Sequence, residues 1–173
     1  MFKNVLPDIM HGRMKYFASV LRRKPDAAAQ INGSKQYPKI RGTVNFYSTK
    51  YGVLVETQAS GLPSFPKKCG GNIFAFHIHN GGMCTGNDDD PFANAGTHYD
   101  TQNCRHPYHA GDMPVLFENG GYAYCVFLTD RFSVDEIIGK TVIIHSDPDD
   151  FKTQPSGNAG KKIACGRIKK EYA

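Results

Sequence analysis

This sequence predicts an all-β domain, a Greek-key barrel or sandwich of about eight antiparallel strands. Three observations carry that expectation. The 173 residues include 18 Gly and 10 Pro, which call for many tight turns. Apolar residues recur with the period of two that half-buried strands require, and the apolar runs, such as YCVFL, are short. The length fits one domain, and no run approaches the roughly 20 residues needed to cross a bilayer, so a soluble protein without a membrane partner is expected.

The elements follow in chain order. Residues 1–26 form a basic appendage ahead of a domain at 27–173. Leu6, Met10, Met14, Phe17 and Leu21 recur at helical spacing, but Pro7 and Gly12 interrupt them and Pro25 closes the stretch, so a short amphipathic arm is expected. The arm lacks the apolar core and small-residue cleavage site of a secretory signal, which points to the cytoplasm; a truncated N-terminus would instead admit an extracellular or periplasmic protein.

From Ala27, the stretches AAAQING, KIRGTVNFY and GVLVETQ alternate as strands, with a hairpin turn at Ser48–Gly52. IFAFHIH, GYAYCVFLTD, KTVIIH and KKIACGRI continue the pattern, and Ile73, Phe74, Val126 and Ile143 are the expected core positions. The body's one helix signal is SVDEIIG, where Ser133 and Glu136 make a capping box and Gly139 a stop. Two long irregular segments, 80–114 and 146–160, break the pattern, and loops of that length in a compact domain usually carry function.

The net charge of +5 is spread along the chain with no Lys/Arg run interleaved with aromatics, so nucleic acid is not an expected partner, whereas a small anionic substrate suits a positive protein. Five of the seven histidines lie between Phe74 and Asp112, which asks for a metal or a proton relay. On a strand, His77 and His79 project from one face and Ile78 from the other; the pair either chelates a metal or is a satisfied structural pair. His98, His106, His109 and Asp112 fall within 15 residues and offer a complete N/O set for a structural zinc. His145 ends KTVIIH, and an imidazole there beside His77 and His79 would suit a tetragonal copper(II) site. A zinc hydrolase built on HIH needs an open position with a base beside it, which Asn80, Gly81 and Gly82 do not supply.

FAFHIHNGGMC, THYD, HPYHAGDMP, TVIIHSDPDD and PSGNAGKKIACG, in that order across residues 27–168, resemble the copper/zinc superoxide dismutase family. That resemblance implies a superoxide dismutase with copper and zinc as cofactors and superoxide as substrate. His77, His79, His98 and His145 then match the copper ligands. His98, as a bridging imidazolate, joins His106, His109 and Asp112 around zinc. Asp149 matches a carboxylate linking the outer ring nitrogens of His77 and His106. Cys84 and Cys165 match the family's disulfide, a bond at odds with a reducing cytoplasm. Catalysis falls to His98 and to the positive residue at the copper mouth, here Lys162 where the family usually has arginine. Lysine keeps the charge but not the rigid fork of donors. The two-residue gap between His106 and His109 is shorter than the family's common zinc loop.

The remaining cysteines keep their alternatives: Cys69 and Cys104 form a second bridge or stay free, and Cys125 reads as a core thiol. GNDDDP at Gly86–Pro91 reads as a solvated turn, lacking the spacing of a calcium loop. The rival class is a non-catalytic copper or zinc carrier of the same fold, and a homodimer is the assembly left open.

Overall fold

The computed structural model describes residues 6–64 and 72–171. Helix α1 (Leu6–Val20) is continuous. Pro7 stands in its first turn, where the missing N–H has no partner to lose, and Gly12 does not break it, so the expected interruption is absent. Its last turns lay Tyr16, Phe17, Val20 and Leu21 on Tyr47 and Leu54. The Lys50 ammonium sits over the Tyr16 and Tyr51 rings at 5.4 and 5.0 Å.

Strands β1 (Ala27–Gly33), β2 (Arg41–Thr49) and β3 (Gly52–Ser60) form an antiparallel meander. IFAFHIH is split at Ala75 into β4 (Ile73–Phe74) and β5 (Phe76–His79). Ala75 instead spends its N–H on Asp147 O at 2.8 Å and receives the His145 N–H at 2.9 Å. A short β6 (Leu116–Phe117), which no alternation marked, pairs with β4. Then come β7 (Tyr122–Thr129), α2 (Val134–Ile137), β8 (Thr141–His145) and β9 (Lys162–Lys170). The capping box of Ser133 and Glu136 is present at the start of α2.

Seven strands make one antiparallel sheet in the order β5-β8-β9-β1-β2-β3-β7. Every one of them contributes to a single core: Phe76, Ile144, Ile163, Ile31, Phe46, Val55 and Ala123, in that strand order, share one apolar cluster. A flat sheet cannot bring its two outer strands into one cluster, so the sheet curls on itself, as an all-β barrel-like fold requires.

Phe74 and Ile143 are buried as expected and Ile73 is half-buried, but Val126 is 36% exposed. Its neighbours explain the correction. Ala123, Cys125 and Phe127 face the core, so the period of two turns Tyr122, Tyr124, Val126 and Leu128 outward. The apolar run YCVFL is a two-faced strand, not a buried one. Among the described residues, no helix is long and apolar enough to cross a membrane.

Candidate metal centre

β5 is an outer strand of the sheet, and the loop at 80–114 folds back along its open edge. Ile78 takes the Tyr99 N–H at 2.8 Å and gives its own N–H to Gly111 O at 2.9 Å, while Asn80 N–H reaches Thr97 O at 2.8 Å. This borrowed ladder sets His98 opposite His79 and Asp112 opposite His77. Phe76 and Ile78 anchor the strand's other face in the core. His145 closes β8 next to β5, just where the pairing of β8 with β9 slips between Ile144 and His145. Such a bulge re-aims a side chain.

Two groups of four result, each with ligand atoms within 4.8 Å of one another: His77, His79, His98 and His145, and His98, His106, His109 and Asp112. All seven residues are buried and His98 belongs to both groups. In the first, His79 Nε2 and His145 Nε2 lie 3.2 Å apart. In the second, Asp112 Oδ1 is 2.8 Å from His98 Nδ1, and Asp112 Oδ2 is 3.1 and 3.2 Å from Nδ1 of His106 and His109.

Three of the outer ring nitrogens are occupied, whereas Nδ1 of His145 is buried without a hydrogen bond. His79 Nδ1–H donates to Gly96 O at 2.8 Å, and Nε2–H of His77 and of His106 donate to the two oxygens of Asp149 at 2.7 and 2.8 Å. These bonds fix the tautomers and leave lone pairs facing inward. Four of the inward ring nitrogens lack partners. Nδ1 of His77, Nε2 of His98 and Nδ1 of His106 and His109 are buried without a hydrogen bond, although an Asp112 oxygen lies 3.1 and 3.2 Å from the last two. An unsatisfied buried polar atom costs roughly 1–3 kcal/mol, so a cluster of them is explained by a cation at the point where they converge. Nitrogen and carboxylate donors fit divalent metals in both groups.

Electrostatics agree with neutral ligands. Burial pushes the His77 imidazole's pKa down, against the pull of Asp149, and burial together with the neighbouring imidazoles holds His79 and His145 well below the usual histidine range. For Asp149, burial would raise the pKa, but hydrogen bonds from His77, the Phe151 N–H and His106 outweigh it and hold it at about 2. In Asp112 burial is likewise outweighed, by His98, His106 and His109, and its pKa falls.

Two side chains that the sequence did not single out hold this centre from outside. Gln154 receives the His106 N–H on Oε1 at 3.0 Å and donates Nε2–H to His106 O at 2.7 Å. Arg131 Nη1 donates to the carbonyls of Pro107, Asp112 and His109 at 3.0, 3.2 and 3.3 Å. Both act on backbone, which leaves no spacing signal in a sequence. Gly157, at φ +68°, backs the Asp149–His106 bond, and a Cβ there would meet the Asp149 carboxylate and lie 2.6 Å from His106 Nε2.

The sequence profile of the copper/zinc superoxide dismutase family matches residues 40–168. This chain belongs to that family. It is 34% identical over 146 residues to "Superoxide dismutase [Cu-Zn] 2" of Aquifex aeolicus, covering 76% of this chain and 80% of that protein. It is also 34% identical over 152 residues to the "Superoxide dismutase [Cu-Zn]" of Legionella pneumophila, covering 83% and 87%. In fold it is similar to the solved Cu/Zn superoxide dismutase of Brucella abortus, with a TM-score of 0.68 over 82% of this chain and 98% of that one, at 23% identity.

In this superoxide dismutase relative, Cys84 is bonded to Cys165. Cys104 and Cys125 are free thiols, and Cys69 lies outside the described residues. Cys125 packs against the core, where burial pushes its thiol pKa up. A cleft of about 810 Å³ opens over the first group, with His79, His98 and His145 in its wall. Lys162 lines it, set opposite His145 by the pairing of β8 with β9. Its ammonium donates to Asp90 at 2.7 Å and to Phe92 O at 3.3 Å. The GNDDDP segment is therefore not simply a solvated turn, since Asp89 and Asp90 line the same cleft.

Proposed function

We propose that the chain dismutes superoxide, with copper held by His77, His79, His98 and His145 and zinc by His98, His106, His109 and Asp112. The observation that carries this reading is the sharing of His98 between the two four-ligand groups. A single imidazole with Nδ1 toward Asp112 and Nε2 toward the other histidines would give each metal one of its two nitrogens. The second group is a complete set of four N/O donors, which would suit a structural zinc and leave no position for substrate.

Copper supplies reversible one-electron exchange, taking one superoxide to dioxygen and, with two protons, a second to hydrogen peroxide. The chain's residues do the rest. His79 and His145 form the wall through which the cleft reaches the copper group. His98 Nε2, buried and without a protein partner, is the atom of the chain placed to hold a proton at that wall. Asp149 keeps His77 and His106 in the tautomers whose lone pairs face inward. Lys162, opposite His145 in the pairing of β8 with β9, is a cation of the cleft wall.

The test is superoxide consumption by protein reconstituted with both metals, beside a His145→Ala variant, with metal content measured for each. Fast consumption that needs copper and is lost in the variant is expected. One copper and one zinc per chain without consumption beyond that of free copper would establish a metal carrier instead. A homodimer is the assembly we propose, with the outward side chains of β7 at its contact; a sedimentation coefficient that stays at the monomer value as concentration rises counts against it.

A further inference from the structure

The mouth of the cleft differs from a simple positive funnel. Lys162 has its side chain only 15% exposed, so most of its stem is packed against the wall. Two of that amine's three donors are engaged, by Asp90 and by the Phe92 carbonyl.

Asp90 is itself held in place. Asn87 Oδ1 takes the Asp90 N–H at 2.8 Å, Asp90 Oδ1 takes the Phe92 N–H at 3.0 Å, and Asp90 O takes the Asn87 and Ala93 N–H groups at 3.0 and 3.1 Å. Phe92 and Ala95 anchor the turn by packing with Ile143, Cys165 and Cys84, beside the disulfide. The carboxylate at the mouth is therefore a fixed part of the wall. Among the described residues, three cations line the cleft, Arg105, Lys161 and Lys162, against three carboxylates, Asp89, Asp90 and Asp100.

We propose that Asp90 is a specificity-determining residue of this cleft: it positions Lys162 beside His145 and opposes its charge, so that an anion must compete with the carboxylate for the amine. The inference rests on the copper reading of the first histidine group. A lysine lacks the planar fork by which arginine holds itself and an anion at once, and a second group that fixes the amine supplies the missing order. The same group weakens the field that draws anions inward.

The test uses azide as the probe anion, titrated into the copper- and zinc-loaded protein and followed by its charge-transfer absorption on copper, at low and high ionic strength. Asp90→Asn keeps the acceptor for the Phe92 N–H while removing the charge. It is expected to tighten azide about three- to tenfold at low salt and to steepen the salt dependence. Asp89→Asn, which changes a cleft carboxylate that does not touch Lys162, is expected to leave azide affinity within about twofold. Adding Lys162→Gln to Asp90→Asn should abolish the gain. Azide affinity unchanged in Asp90→Asn, or raised equally in Asp89→Asn, overturns the inference while leaving the copper reading intact. A wild-type protein that takes up no copper overturns both.

Discussion

At the scale of single residues, Asp149 acts on both groups through a buried carboxylate. Its two oxygens serve two imidazoles that belong to different metal groups, and its charge is held ionised to about pH 2. In Asp149→Asn, one end of the amide can accept from one ring, while its NH₂ confronts the N–H of the other, so at least one tautomer lock is lost. Copper and zinc affinities should fall together, by about 10–100-fold, in competition with a chelator. A loss confined to one metal would show that Asp149 does not couple the groups. Six of the seven metal-facing residues were legible in the sequence because histidine and aspartate at close spacing carry chemistry in their identity, and His145 through its place at the end of KTVIIH. Asp149 was legible only through the family resemblance. Gln154 and Arg131 were not legible at all, since what they recognise is a backbone whose path exists only after folding. Asp90 was read as a turn residue because its partner, Lys162, lies 72 positions away.

At the scale of elements, strands with one polar face were legible by alternation, and the failures have a common cause. Val126 and the break at Ala75 sit in stretches so apolar that the period of two is hidden, and only pairing partners decide which face is buried. Within the long loop the turn from His106 to His109 is tight, with two residues between them, and three carbonyls in and beside it are gathered by Arg131. That guanidinium touches no ligand side chain, so it acts by fixing the backbone that aims them. Arg131→Gln should lower zinc affinity about tenfold and leave copper affinity within about threefold, in contrast to Asp149→Asn, which moves both. The cobalt(II) absorption of the zinc group should broaden in the same variant. An unchanged zinc affinity would mean that the loop holds its shape without the guanidinium.

At the scale of the whole molecule, the curled sheet places its chemistry and its bare apolar surface on different strands. The metal groups gather beside β5, which the long loop covers, whereas at the opposite end of the sheet β7 has no further strand beyond it among the described residues. There Tyr122, Tyr124, Val126 and Leu128 point outward, and on the neighbouring short strand Phe117 is 68% exposed. An open edge flanked by apolar side chains favours pairing with another chain, and a two-fold contact lets one such strip meet itself. The proposed homodimer follows from that arrangement, and Val126→Lys separates it from catalysis. The new lysine would stand opposite Glu56 in the β3–β7 register, so the barrel should tolerate it. Sedimentation should shift from dimer to monomer, with metal content and activity per chain retained because β5, β8 and the two long loops are untouched. A variant that sediments as the wild type does would place the contact elsewhere on the molecule, and a monomer that loses its metals would mean that the two ends of the sheet are mechanically linked.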